Sequence, residues 1–352
     1  MRDLDAPEVP KSLDPAEMRE RIRELPQQCL KAWHQALDFE LPSHYSSVDK
    51  VIILGMGGSA IGGDLLGSLI SESKVLISTS RDYNLPATVD ANTLVIASSY
   101  SGMTEETLSS FTQALATPAK KIVLTTGGKL KTIAEQNNIP VFIINYAAPP
   151  RAALAYSLFP LLGICQKLGI VDDKSAEIED MVKVLDNLQT TLADTCPTSL
   201  NPAKQLALKL YGKIVTIYAS EFLSPVAKRW KTQINENSKA WAFYEVFPEL
   251  NHNAVVGYEF PPDLAQRIFV IFLRSQHLHP RILVRYKSTS DLLQKANISS
   301  ADIDGLGETT LSQMMSLILF GDWVSYYLAL LYETDPSPVK AIDYLKKWLA
   351  EA

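Results

Sequence analysis

Residues 48–63 read VDKVIILGMGGSAIGG. The run KVIIL is apolar, rich in branched side chains and followed at once by glycines, the pattern of a buried strand turning sharply into a helix. Glycines in such a turn let backbone N–H groups close on a phosphate, and Gly55-Met56-Gly57-Gly58-Ser59-Ala60 fits the loose GxGxxG/A pattern of dinucleotide-binding turns. The same alternation continues outward. KVLIST, TLVIASS, KIVLTT and PVFIIN each end in small or polar residues, and most precede a helix-like stretch. The expectation is α/β: a doubly wound parallel sheet of about five strands between residues 48 and 146, with helices on both faces.

The flanks read differently. Residues 11–40 mix charge with helical spacing, with Ser12 or Asp14 before Pro15 as a start signal, so residues 1–45 are expected to form an amphipathic helical arm. The first sheet domain then covers 46–150, a mostly helical connection covers 151–200, and a second α/β domain covers 201–352. That second domain opens with KIVTIYAS, continues through the strand-like RIFVIFLRS and RILVRYKST, and closes with two helices around the turn DPSP.

A chain of 352 residues exceeds the roughly 100–200 residues of one core, which fits two domains. Its net charge of -6 gives no electrostatic reason to approach nucleic acid or an anionic membrane. The most membrane-like run, LSQMMSLILFGDWVSYYLALLY, carries Gly321 and Asp322 in its middle and is expected to be a buried helix. The start of the chain lacks a basic, then apolar, secretory pattern, and the three cysteines (Cys29, Cys165, Cys196) form no ligand cluster, so a cytoplasmic protein without structural zinc is expected.

A dinucleotide is not the only phosphate ligand open to the glycine turn. A ribose-holding carboxylate is expected at the end of the second strand, where KVLISTSRD instead offers Ser78, Thr79 and Ser80. Arg81, just beyond, leaves room for a phosphorylated ribose. The third strand ends in SSYSGMTEET, with Ser98, Ser99, Ser101 and Thr104 around Gly102. In a parallel sheet this turn leaves the same edge as the first, so hydroxyls and the N–H groups of two helix starts converge on one anion, as a monophosphate requires. The bland alternative is that these hydroxyls only cap helices.

GMGGSAIGG, SSYSGMTEET, TTGGKL, PPRAAL, NENSK and PELNHN, in that order, resemble the bifunctional phosphoglucose/phosphomannose isomerases, built from two sugar isomerase (SIS) domains. The likeness runs from about residue 48 to the C-terminus. It implies a sugar phosphate as ligand, with Gly57, Gly58, Ser59, Ser99, Ser101 and Thr104 around its phosphate. It also implies interconversion of glucose 6-phosphate, mannose 6-phosphate and fructose 6-phosphate through a cis-enediolate, with no cofactor and no metal.

Such isomerisation needs a carboxylate base, a ring-opening acid/base and a nearby cation. The resemblance makes Glu236, which follows a long amphipathic helix in RWKTQINENSK, the base. It makes His252 the ring-opening group, contributed across the interface of a homodimer; Asn251 and Asn253 flank it and are expected to orient its ring. It makes Arg151 the cation against the oxyanion. A C-terminal lysine is also implied, Lys346 by placement, with Lys340 and Lys347 as alternatives. On residues alone, Glu236 reads as a solvated glutamate and Arg151 as a helix-start surface arginine. His277 and His279 read as surface residues, His34 and His44 lie outside every motif, Thr126 and Gly127 fall at the pocket rim, and Lys129 reads as capping a surface helix. Two other classes fit parts of the chain: a non-catalytic SIS-type sugar-phosphate-binding regulator, and an NADP-dependent oxidoreductase using Arg81, which leaves NENSK and PELNHN unexplained.

Overall fold

The computed structural model describes residues 2–6, 8–45 and 47–351. Two compact units are formed by a chain that changes unit more than once. One comprises Met1–Arg23, Val184–Leu306 and Gln313–Ala352; the other comprises Glu24–Lys183 and Gly307–Ser312.

The expected single arm is three helices: α1 (Glu8–Leu13), α2 (Met18–Arg23) and α3 (Leu25–Asp38). The break before α2 follows from Asp14, whose two carboxylate oxygens accept from the N–H groups of Met18 (2.7 Å) and Arg19 (3.0 Å). That cap starts a new helix instead of continuing the first. The break falls inside the region read as one continuous amphipathic stretch.

In the unit starting at Glu24, β1 (Lys50–Leu54), α4 (Gly57–Leu69), β2 (Leu76–Ser80), β3 (Thr93–Ser98), α5 (Glu105–Leu115), β4 (Lys120–Thr125), α6 (Gly128–Gln136) and β5 (Val141–Ile143) alternate as expected. All pairings are parallel and the strand order is β2-β1-β3-β4-β5. Strands β1 and β3 are adjacent, with Leu54 opposite Ala97, and the chain winds away from them in opposite directions. Their C-terminal ends form the switch point where open α/β sheets bind ligands. Every residue of β3 is buried, as a central strand covered on both faces must be. Helix α7 (Ala155–Lys167) follows, packing on α3 and α4.

After α8 (Ser175–Leu192) come α9 (Pro202–Leu210), β6 (Ile214–Ser220), α10 (Ser224–Ser238), β7 (Ala242–Phe247), β8 (Ile268–Arg274), α11 (Pro280–Lys295), β9 (Ser299–Asp304), α12 (Thr310–Leu331) and α13 (Lys340–Glu351). The second sheet is parallel in the order β7-β6-β8-β9. The stretch RILVRYKST is a correction: it is helical, part of α11. The His279 ring nitrogen Nδ1 accepts from the Arg281 N–H (3.1 Å), and Pro280 occupies the first turn. Ile282, Tyr286, Thr289 and Leu293 then bury one helical face, overriding the β-propensity of the run. Helix α12 is long and apolar enough to cross a membrane, yet it is almost wholly buried within the fold.

Candidate active site

At the β1/β3 switch point the two turns are tied directly together. The backbone N–H of Tyr100 donates to Ser59 Oγ (3.0 Å), and Ser99 Oγ donates to Thr104 Oγ1 (2.9 Å). Ser101 Oγ accepts from the Met103 N–H (3.2 Å). No side chain caps α4 or α5 among the described residues, although Thr104 stands at the N-cap position of α5. Helix capping therefore does not account for Ser59 or Thr104. The first turns of both helices, with Gly57 and Gly58 opening α4, lie at an edge where an anion is favoured, while the Ser59 N–H is taken by the Met56 carbonyl (3.0 Å).

Two glycines make this cup possible. Gly58 lies against the chain just before Arg151: a Cβ there would stand 2.8 Å from the Pro150 carbonyl oxygen and 3.1 Å from the Arg151 nitrogen. Gly102 has φ +65° and presses on Gly127, where a Cβ would come within 1.9 Å of the carbonyl oxygen. TTGGKL thus supports the serine turn from behind, and Thr126 Oγ1 donates to the Tyr100 carbonyl (2.7 Å). Gly127 caps α6, which places Lys129 inside its first turn, where its N–H donates to Met103 Sδ (3.4 Å).

Arg151 is buried at 4% exposure, which removes the surface-arginine reading. It sits in the short turn Pro150–Ala152, in the same unit as the cup. Tyr100 joins the two regions: its hydroxyl donates to the Tyr146 carbonyl and accepts from the Ala148 N–H (2.8 Å). Tyr100 is silent in the sequence, because an aromatic residue inside a Ser/Gly turn carries no local signal of contacts nearly fifty residues away. Arg81 forms an ion pair with Asp64 (2.6 Å), so it is engaged within its own unit instead of standing ready for a ribose phosphate.

Glu236, His252 and Lys346 lie in the other unit. Glu236 does not follow α10 but belongs to its last turn and is half-buried. The helix ends two residues later, and Lys239 follows it with φ 54°. His252 closes the short 3-10 turn Glu249–His252. Its neighbours anchor the backbone: Asn251 donates to Thr289 Oγ1 (2.8 Å) and accepts from Arg285 (3.1 Å), while Asn253 donates to Glu249 (2.8 Å). The asparagines thus hold the loop to α11 and to itself. Lys340, Lys346 and Lys347 all lie on α13, whose described side chains are exposed. His277 and His279 are exposed as expected, with His279 employed as the α11 cap.

A bifunctional phosphoglucose/phosphomannose isomerase of Caldicellulosiruptor bescii is 45% identical over 336 residues, which cover 95% of this chain and 99% of that protein. The chain belongs to the bifunctional phosphoglucose/phosphomannose isomerase family. A family member from Aquifex aeolicus is 32% identical over 301 residues, covering 85% of this chain and 90% of its own. Residues 199–349 match the bacterial phospho-glucose isomerase C-terminal SIS domain, so the second sheet and its helices belong to that type. A hypothetical protein of Thermus thermophilus superposes with a TM-score of 0.72 at 17% identity, covering 99% of this chain and 98% of that one. It shares the fold of two parallel sheets.

Proposed function

We propose that this isomerase interconverts glucose 6-phosphate and mannose 6-phosphate with fructose 6-phosphate. The observation that carries the reading is the near full-length identity to proteins so named, combined with an uncapped phosphate cup at the β1/β3 edge. The substrate phosphate is assigned to the first turns of α4 and α5 and the hydroxyls of Ser59, Ser99, Ser101 and Thr104.

In the proposed chemistry His252 assists ring opening by moving the proton between the ring oxygen and O1. Glu236 then takes the C2 proton of the open-chain aldose. The electron pair left behind forms the C1–C2 double bond of a cis-enediolate, and the negative charge on oxygen is met by the Arg151 guanidinium. Glu236 returns its proton to C1, the proton of the O2 hydroxyl passes to O1, and the ketose results. Mannose 6-phosphate arises when the proton returns to the other face of C2. The lysine assigned beside these groups is Lys346. Every group in this scheme is a side chain of the protein, so it calls for neither cofactor nor metal.

A homodimer in which His252 serves the neighbouring copy is part of the proposal. The segment after His252 is compatible with it: Val256 and Phe260 are each 78% exposed and offer apolar surface that a second copy would cover.

The deciding experiment is incubation of EDTA-treated protein with fructose 6-phosphate, with products followed by NMR. Both aldose phosphates should appear. Formation of one alone would restrict the specificity, and detectable binding without product would replace the enzyme reading with that of a sugar-phosphate-binding regulator.

A further inference from the structure

Helix α10 carries Glu236 near its C-terminal end and is joined to α12 by a run of polar bonds. Arg229 Nη2 meets Asp322 Oδ2 at 2.6 Å, and Gln233 Nε2 donates to Asp322 Oδ1 at 2.9 Å, so both carboxylate oxygens are engaged. One turn earlier on α12, the Leu317 carbonyl accepts from Trp230 Nε1 (2.9 Å), and the Trp230 indole lies so close to Gly321 that a Cβ there would come within 2.4 Å of the ring. One turn later, Ser325 Oγ accepts from Asn237 Nδ2 (3.0 Å), and the Ser325 carbonyl accepts from Ser238 Oγ (2.7 Å). Ser325 Oγ in turn donates to the Asp322 carbonyl (2.8 Å). Arg229, Trp230, Gln233, Asn237, Ser238, Asp322 and Ser325 are all buried.

Firm packing of two helices does not require such bonds. Replacing a buried ion pair with well-packed apolar side chains is often neutral or stabilising, because two charges must be stripped of water to form it. Burial pushes the Asp322 carboxyl above its ordinary range, against the opposing pull of Arg229 and Gln233, which is the mark of that desolvation. What directional bonds supply and apolar packing does not is a single rotation and a single axial register. At about 100° per residue, Glu236 falls at the margin of the stripe formed by 229, 233 and 237, so a small rotation of α10 swings its carboxylate while leaving the core filled.

The geometry points to Asp322 as a positioning residue for the Glu236 carboxylate, acting through Arg229 and Gln233 and backed by Ser325 on Asn237 and Ser238. This rests on Glu236 being the base.

The test is the double variant Arg229→Met/Asp322→Leu, which exchanges the pair for apolar side chains of similar size, assayed beside Glu236→Gln. Because the buried Gln233 amide loses its acceptor in this variant, Tm should fall by a few degrees; at a temperature well below that, KM for fructose 6-phosphate should stay within about twofold and kcat should fall about 10- to 100-fold, since misplacing a reacting group by an ångström costs on that order. A folded double variant with the original kcat beside an inactive Glu236→Gln would overturn the positioning role alone. Full turnover in Glu236→Gln would remove the base assignment and the positioning role with it. Should the double variant not fold, Gln233→Met deletes one donor to Asp322 and should lower kcat about threefold or more with KM held. An unchanged kcat there would equally overturn the inference.

Discussion

The Tyr100 amide donates to the Ser59 hydroxyl across 3.0 Å, joining the turn after β1 to the turn after β3. The bond holds the starts of α4 and α5 side by side at one sheet edge. A dianionic phosphate gains from such a surface because donors placed in advance lower the ordering cost of binding.

Ser101 is the hydroxyl at this edge most open to water, and it accepts from the Met103 amide two residues on. Ser101→Ala should therefore leave Tm nearly unchanged while raising KM for fructose 6-phosphate about tenfold, the value of one hydrogen bond to a charged group. Steady-state kinetics would show it. A fall in kcat with KM unchanged would take Ser101 out of the phosphate cup.

Gly58→Ala tests the link between cup and guanidinium. The new methyl group would stand 2.8 Å from the Pro150 carbonyl oxygen and 2.9 Å from its carbon, both backbone atoms with little room to give. The segment carrying Arg151 must shift outward. Stability should fall by about 1–3 kcal/mol, as for other overpacked sites, and kcat should fall more than that loss alone explains. Thermal melts with kinetics at a temperature well below Tm separate the two effects. Unchanged kcat in a folded variant would dissociate Arg151 from the chemistry.

The proposed trans contribution of His252 is open to a hybrid test. Glu236→Gln and His252→Ala homodimers should each be nearly inactive. Mixed and allowed to exchange subunits, they should recover activity, because one of the two sites in each hybrid then has both an intact Glu236 and an intact His252. If the histidine serves its own subunit, no mixture regains turnover.

The first sheet was legible because glycines and β-branched runs encode strand, turn and helix locally, and residues 48–63 alone carry all three signals. The end of α10 was not. No glycine or proline stops it; the stop is Lys239 in the left-handed region, with its ammonium bonded to the Glu236 carbonyl (2.8 Å) and to the Asp335 carbonyl (2.7 Å) ninety-six residues on. The same distance hid Asp322, which in sequence reads only as an interruption of an apolar run and in the fold is the partner of Arg229. RILVRYKST failed for a different reason: its branched residues favour a strand, and the cap that decides for a helix is a histidine, an uncommon choice. Gly57, Gly58, Ser59, Ser99, Ser101 and Thr104 are gathered by one sheet edge, so their grouping follows from topology once the strands are read correctly.

Acid should weaken the unit that contains both the start and the end of the chain through a particular pair. Lys204 is fully buried, its ammonium bonded to Asp5 Oδ1 (2.9 Å) and to the Asp194 carbonyl (2.9 Å), with the Tyr327 ring beneath it. Burial pushes the Asp5 carboxyl up, but hydrogen bonds from Lys204 and from Thr198 outweigh it and hold the group below the usual carboxylate range. A folded-state pKa depressed in this way stabilises the fold above the unfolded value, about pH 4, and the contribution is lost as pH falls through the folded value. The Asp5 side chain is 40% exposed, so solvent screening limits the effect to about 1 kcal/mol even though its partner is dry. Asp5→Asn should lower Tm at pH 7 by about a degree or two and flatten the decline of Tm below about pH 4, with kcat at 25 °C unaltered. A variant whose acid limb overlays that of the parent would show that Lys204 is held by the Asp194 carbonyl and Tyr327 alone.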